Sequence, residues 1–416
     1  MIRCHAAPGS HRGRGSRSCR QPHTRSNPPS FDALPRSSVY AVCPTCPLGA
    51  TATARPTRSN SRFSRTDMLK SLAPFALTLL ITLAAPLHAA EKLPEVIRFG
   101  VSSAGVGKPP RVNSGWISVA QLHRYLENEF ARDGVKIEWI FFKGQGPAVN
   151  EAISNNQLDF TTLGDLPAIV SRSVGVDTRA VLGSARADIY VVARPGAGIR
   201  SIADLRGKRV AFHKGTATQL SAARLFAAHG LSEKDVRIIN MEPGTAKAAL
   251  LSGDIDATFG TLDLVHFRDT GRAVLVYSSR NDTGPGATGQ GFVLVNQKFA
   301  QRHPQTTTRV VKALVRAAQW SSDPAHREEI FKLWASAGAV PESTYRREYK
   351  GIALADRFSP LLDPALASRT RQAAALALQN RLIRKPIDVE SWFDRRYLDA
   401  ALGELGLVGY WDERVS

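Results

Sequence analysis

From Val96 onward, apolar and polar positions alternate between two periods. "VIRFGV" is a short apolar run of the kind that forms a buried strand. Val119, Leu122, Leu126 and Phe130 then fall on one helical face, which predicts a helix over 116–130. "KIEWIFF" predicts the next strand, and Pro147 sits where a helix favours its first turn. "LDFTTLG", "RAVLGSA" and "DIYVVAR" read as short strands, with "LPAIVSRSV" a helix between the first two. "VAFHKGTATQLSAARLFAAHG" (210–230) passes from strand to helix through Lys214-Gly215, and Ala222, Leu225 and Phe226 form its buried stripe. Strands alternating with helices predict an α/β chain with largely parallel sheets.

The pattern repeats once. "AISNNQLDFTTLGD" ends at Asp165 and "ALLSGDIDATFGTLD" ends at Asp263, each a helix, a turn and a strand. The matching Asp159 and Asp256 are separated by a lobe-sized interval, which predicts two lobes rather than a solenoid. Asp188–Ala193 and Gly291–Val295 are the candidate connections between them. The expected division is 91–187 for the first part of lobe 1, 188–290 for lobe 2, and 291–416 for the rest of lobe 1 with C-terminal helices. Those helices, "TTTRVVKALVRAAQW", "REEIFKLWASAG" and "ASRTRQAAALALQNRLI", are expected to complete and wrap lobe 1.

The first 90 residues follow different rules. Residues 1–67 are rich in Arg, Ser and Pro without apolar periodicity, so they are expected to be disordered or an upstream artefact. Met68, Lys70, an apolar run over 72–85 and "PLHAA" have the layout of a secretory signal peptide, 68–90. A start at Met68 and periplasmic export follow as expectations. The front segment also distorts the bulk charge. It holds twelve Lys and Arg against two acids, so the formal charge of +19 falls to about +9 for the remainder. All four cysteines lie there too, at 4, 19, 43 and 46, so the rest of the chain has neither disulfides nor thiolate chemistry. The arginines of the front segment have no interleaved aromatics, which speaks against nucleic-acid binding.

Candidate chemistry gathers where strands hand over to helices. Thr216 and Gln219 match a capping box, so the helix start needs no ligand. Yet a helix N-terminus beyond a strand's carboxyl end suits an anion, and Thr216 and Thr218 add hydroxyls. Both readings stay open at this point. "TLGDLPAI" (162–169) is a second such junction, where Gly164 allows a tight turn and Asp165 either caps the helix or orients a donor. Asp263 has the same choice. Ser102 and Ser103 follow the first strand, with Lys108 further along that loop, and "FKGQGP" (142–147) turns after the second. Arg186 can pair with an anion or form a surface salt bridge. "GPGATG" (284–289) fits G-x-G-x-x-G but precedes a strand and contains Pro285, so it is read as a loop. No G-x-S-x-G, H-E-x-x-H or phosphate-loop motif is present, and the histidines after residue 90 lack metal-ligand spacing. The chain is therefore expected to be no enzyme and to need neither cofactor nor metal.

Together "IRFGV", "GDLPAI", "SIADLRGKRVAFHKGTAT", "GDIDATFG", "GFVLVNQKFAQRHP" and "NRLIRKPID" resemble the substrate-binding proteins of ABC importers. The resemblance is to the aliphatic-sulfonate, taurine and nitrate group, and covers most of 95–390. It implies a two-lobed periplasmic binding protein fold of type II, with the ligand cleft between the lobes. It also implies a small anionic ligand, a membrane permease as partner, and a monomer. Carried over residue by residue, it implies a cleft lined by Ser102, Ser103, Gly144, Gln145, Gly164, Asp165, Thr216, Ala217, Thr218 and Asp263. Where that group tends to read Trp-Asp-Pro-Tyr, this chain reads Leu262-Asp263-Leu264-Val265. The departure keeps nitrate, a pyrimidine or an aromatic acid open as ligands. A cofactor-biosynthesis enzyme on the same scaffold is the alternative of another class.

Overall fold

The computed structural model describes residues 91–281, 288–338 and 340–414. The expected signal peptide, the start at Met68 and the arginine-rich front segment lie outside the described residues, as does most of "GPGATG". Two five-stranded sheets organise the rest. In the first, β1 (Val96–Val101) lies between β2 (Lys136–Phe141) and β3 (Phe160–Gly164), all parallel. In the second, β6 (Arg209–Phe212) lies between β7 (Arg237–Asn240) and β8 (Ala257–Gly260), again parallel.

Each sheet is completed by an antiparallel pair. β4 (Thr178–Ala187) ends in the first sheet, and the chain passes at once to β5 (Tyr190–Ala193), which lies antiparallel to β8. β9 (Val274–Ser278) pairs with β5, and β10 (Gly289–Asn296) returns to the first sheet between β3 and β4. The strand orders are β2-β1-β3-β10-β4 and β7-β6-β8-β5-β9. Each sheet is thus largely parallel with one reversed strand, β10 in the first and β5 in the second, taken from the crossing chain.

Helices α1 (Trp116–Leu122), α2 (Tyr125–Phe130), α3 (Gln145–Ser154) and α4 (Asp165–Ser173) accompany the first sheet. Helices α5 (Ala217–Ala228), α6 (Pro243–Ser252) and α7 (Val265–Asp269) accompany the second. The single helix expected over 116–130 is broken at Arg124, whose φ of 55° is left-handed. The carbonyl of His123 freed by the break accepts from Asn128 Nδ2. The break lets Val119, Leu126 and Phe130 all be fully buried.

After β10 come α8 (Gln297–Arg302), α9 (Pro304–Ser322), α10 (Arg327–Ala335), α11 (Glu342–Glu348), α12 (Leu354–Phe358), α13 (Pro364–Gln379) and α14 (Arg396–Leu405). Val310, Leu314 and Ala318 of α9 join Phe99, Phe160 and Phe292 of the sheet in one core. α13 reaches beyond the first sheet. Its Ala373, Ala374 and Ala377 pack with Leu166 and Ile169 of α4 and with Leu220 of α5, so it touches both sheets' helices.

The sequence repeat has a physical content. Asp159 accepts from the backbone N–H of Arg98 at 2.8 Å and from its guanidinium at 2.9 and 3.0 Å. Asp256 does the same for Arg209, at 2.9 Å from the backbone and 2.8 and 3.2 Å from the side chain. Thr161 donates to the Gly100 carbonyl at 2.9 Å, and Thr258 to the Ala211 carbonyl at 3.0 Å. The same aspartate and threonine therefore fasten the third parallel strand of each sheet to the first.

The Arg209 side chain and backbone N–H hold the Asp256 carboxyl well below the usual carboxylate range. A depressed folded pKa adds stability above the unfolded value, and that stability is lost as pH falls. Asp256→Ala should cost on the order of 2 kcal/mol at neutral pH, measured by urea unfolding. The gap from the parent should shrink as pH falls below about 4.

Candidate functional site

In each sheet the parallel strands point their carboxyl ends at one edge, and the following helices begin there. The chain crossing through β5 and β10 turns these edges toward each other. Between them lies a cleft of about 590 Å³. Four helices start at its walls: α3 at Gln145, α4 after Gly164, α5 at Thr216–Thr218, and α6 at Pro243–Gly244. None has a side chain capping its first turn from the N-cap position. The positive ends of four helix dipoles therefore face one space, and the first N–H groups of α5 have no side-chain acceptor there.

The expected capping box at Thr216 does not form. Thr216 Oγ1 donates backward to the His213 carbonyl at 2.6 Å, and Gln219 Oε1 accepts from Gly215 N at 2.7 Å. The threonine thus braces the turn and leaves the N–H groups of Ala217 and Thr218 without a side-chain acceptor. Thr216 itself is buried, whereas Ala217 and Thr218 are half-buried on the cleft wall.

Charged side chains in the cleft are mostly spoken for. Lys247 Nζ is 2.7 Å from Asp263 Oδ2, and Lys143 Nζ is 3.7 Å from Glu242. Thr261 Oγ1 also donates to Asp263, at 3.1 Å. The field for an anion thus comes chiefly from backbone dipoles rather than free ammonium groups.

The remaining expected residues divide. Ser102, Ser103, Gln145, Gly164 and Asp263 line the cleft, and Ser103 Oγ accepts from Gly105 N at 3.0 Å. Gly144 does not line it; it is the N-cap of α3, and a Cβ there would stand 3.0 Å from Ala148 Cβ. Lys108 is exposed and also lies off the wall. Asp165 is a correction. It is buried behind the wall, where it accepts from Leu166 N at 2.8 Å and from Arg224 Nη2 of α5 at 3.2 Å. Burial raises its pKa while Arg224 pulls against that. Its role is to tie α4 to α5 across the two lobes. Arg186 is displaced as well: it lines a neighbouring chamber of about 280 Å³ rather than the main cleft.

The lobes approach closely beside that tie. A Cβ on Gly164 would stand 2.7 Å from Ala217 Cβ, and one on Gly215 would stand 2.9 Å from Pro147 Cγ. Gly164 has φ −70° and ψ 169°, a conformation open to any residue, so glycine is needed there for space alone. His213 Nδ1 and Gln145 Oε1 meet across the same gap at 3.4 Å.

Sequence reasoning missed Asn113, Ser184 and Lys247 on the cleft wall. It also missed Tyr190, Tyr345 and Tyr349 in the chamber. Lys247 had a signal, since it lies within the first turns of the helix opened by Pro243. Tyr345 and Tyr349 reach the site from a helix far along the chain, and no local pattern marks them.

Residues 119–326, half of the chain, match the family described as NMT1/THI5 like. A Bacillus subtilis (strain 168) protein named for binding aliphatic sulfonates is 24% identical over 294 residues, 69% of this chain and 84% of that protein. The periplasmic sulfonate-binding protein SsuA of Methylobacillus flagellatus KT superposes with a TM-score of 0.66 and 29% identity, covering 79% of this chain and 99% of that one. A desulfurization enzyme, DSZB, shares the fold alone, with a TM-score of 0.57 at 16% identity over 75% of this chain and 100% of that one. Two sheets exchanging a strand each, helix starts facing across a cleft, and a match over half of its length place this chain in the NMT1/THI5-like family.

Proposed function

We propose that the protein is the solute-binding component of an ABC importer, and that it captures a small organic sulfonate in the periplasm and delivers it to a membrane permease. The observation that carries this reading is the convergence of four helix N-termini, that of α5 without a side-chain cap, on a cleft whose ammonium groups are already paired. A sulfonate offers three acceptor oxygens and one delocalised charge, which match several N–H donors better than one cation. The N–H groups of Ala217 and Thr218, the Thr218 hydroxyl, Gly164 and the Ser102–Ser103 turn are the proposed contacts. The sulfonate-binding relatives support the same class. Export through residues 68–90 and action as a monomer belong to this proposal.

Binding without a chemical step fits the cleft. Among the described residues no hydroxyl or thiol nucleophile is hydrogen-bonded to a histidine ring there. His213 faces the Gln145 side chain, and its carbonyl, not its ring, accepts the hydrogen bond from the Thr216 hydroxyl. Because a desulfurization enzyme shares the fold, the fold alone does not make this distinction.

Isothermal titration of the purified protein should show ethanesulfonate binding about a hundredfold tighter than neutral ethanesulfonamide, a difference of roughly 2.7 kcal/mol. Binding of nitrate or a pyrimidine with silence from every sulfonate would refute the sulfonate reading. Thr218→Ala should weaken ethanesulfonate about fivefold, the worth of one hydrogen bond of about 1 kcal/mol. Gly164→Ala should lower the thermal unfolding midpoint and weaken binding about tenfold or more, because the added methyl pushes Ala217 and the adjoining Asp165–Arg224 pair apart.

A further inference from the structure

The chamber that holds Arg186 opens from the main cleft, and the two share Asn113, Thr162, Ser184, Ala187, Thr261 and Asp263 as common wall. Its own walls differ in kind. Trp116, Tyr190, Tyr345 and Tyr349 line it, with Leu262 and Val340 completing an apolar surface. A cavity of about 150 Å³ is enough for a benzene ring. This one is nearly twice that.

Its polar groups are unevenly satisfied. All three of its carboxylates are engaged. Glu348 accepts from Tyr190 Oη at 3.2 Å, from Arg268 at 3.3 Å and from Arg347 at 3.1 Å. Asp188 is held by Arg357 at 2.6 Å, and Asp263 by Lys247 at 2.7 Å. Among the described residues Arg186 is the one cation on the wall, no carboxylate lies within ion-pair distance of it, and its guanidinium donates to the Asp356 carbonyl alone, at 3.4 Å. Burial, with Arg414, Arg357 and Arg369 nearby, lowers its pKa to about 10, so it remains charged at neutral pH. The Arg186 guanidinium is half-exposed and bonded to a single carbonyl, so most of its N–H groups remain for an acceptor from outside the protein.

We propose that the chamber is a second subsite of the same cleft, and that the natural ligand is an arylsulfonate carrying a second acidic group. The ring lies among Trp116, Tyr345 and Tyr349. The second acid is held by the Arg186 guanidinium, while the sulfonate occupies the helix N-termini of the main cleft. This inference rests on the proposed sulfonate-binding role.

The test is calorimetric titration with ethanesulfonate, benzenesulfonate and 4-sulfobenzoate. The expected order of affinity is 4-sulfobenzoate, then benzenesulfonate, then ethanesulfonate, with about tenfold at each step. Arg186→Gln should weaken 4-sulfobenzoate at least about tenfold more than it weakens ethanesulfonate. Thermal unfolding of the variant separates lost folding from lost contacts. Ethanesulfonate binding as tightly as both aryl ligands would overturn the subsite while leaving the sulfonate role intact. Equal losses for all three ligands in the folded variant would do the same. Silence from all three ligands would end the sulfonate role and this inference together.

Discussion

The cleft depends on a single geometric constraint: helices that follow parallel strands must start at the strands' carboxyl edge, with their first N–H groups unpaired. One such start is a weak site. Here the crossing of β5 and β10 brings two edges face to face, so four starts share one space. The protein then avoids spending its donors internally. Thr216 turns its hydroxyl back to the His213 carbonyl, and the lysines in the cleft are matched by Asp263 and Glu242. What remains unpaired is backbone, fixed in direction before any ligand arrives. Such fixed dipoles need little rearrangement on binding, unlike a flexible lysine.

The same constraint accounts for the ties outside the cleft. Helix starts can face each other closely only if nothing stands between them, hence glycine at 164 against Ala217. Behind that contact, the Asp165–Arg224 pair and the Leu166, Ile169, Leu220 and Ala373 cluster join α4, α5 and α13. A buried ion pair is weak evidence of net stability, but breaking it strands a charge. Its value here is positional, since it sets how α4 meets α5.

Much of this was legible in the sequence because the repeat is written in residues with specific tasks. Asp159 and Asp256 recur because each clips an arginine at the same place in its sheet. Gly164 and Thr216–Thr218 stood out because strand-to-helix junctions have local signatures. Asp165 misled for the same reason. An aspartate at a helix start looks like a cap or a ligand contact; it does accept from Leu166 N, but its other oxygen goes to an arginine 59 positions away on another helix rather than to the cleft. Arg186 was noticed, but its setting was not, because Tyr345, Tyr349 and Arg357 reach it from the C-terminal helices through long-range packing. The reversed strand in each sheet was hidden too, since a crossing strand has no mark of direction in its own residues.

The central claim is that backbone N–H groups at the start of α5, rather than a side-chain cation, hold the ligand's anionic group. The direct test is a crystal structure of the protein grown with ethanesulfonate. We expect sulfonate oxygens within about 3.2 Å of the Ala217 and Thr218 nitrogens, with Lys247 still paired to Asp263. A sulfonate seated instead on the Lys143 or Lys247 ammonium, with the α5 start bare, would contradict it.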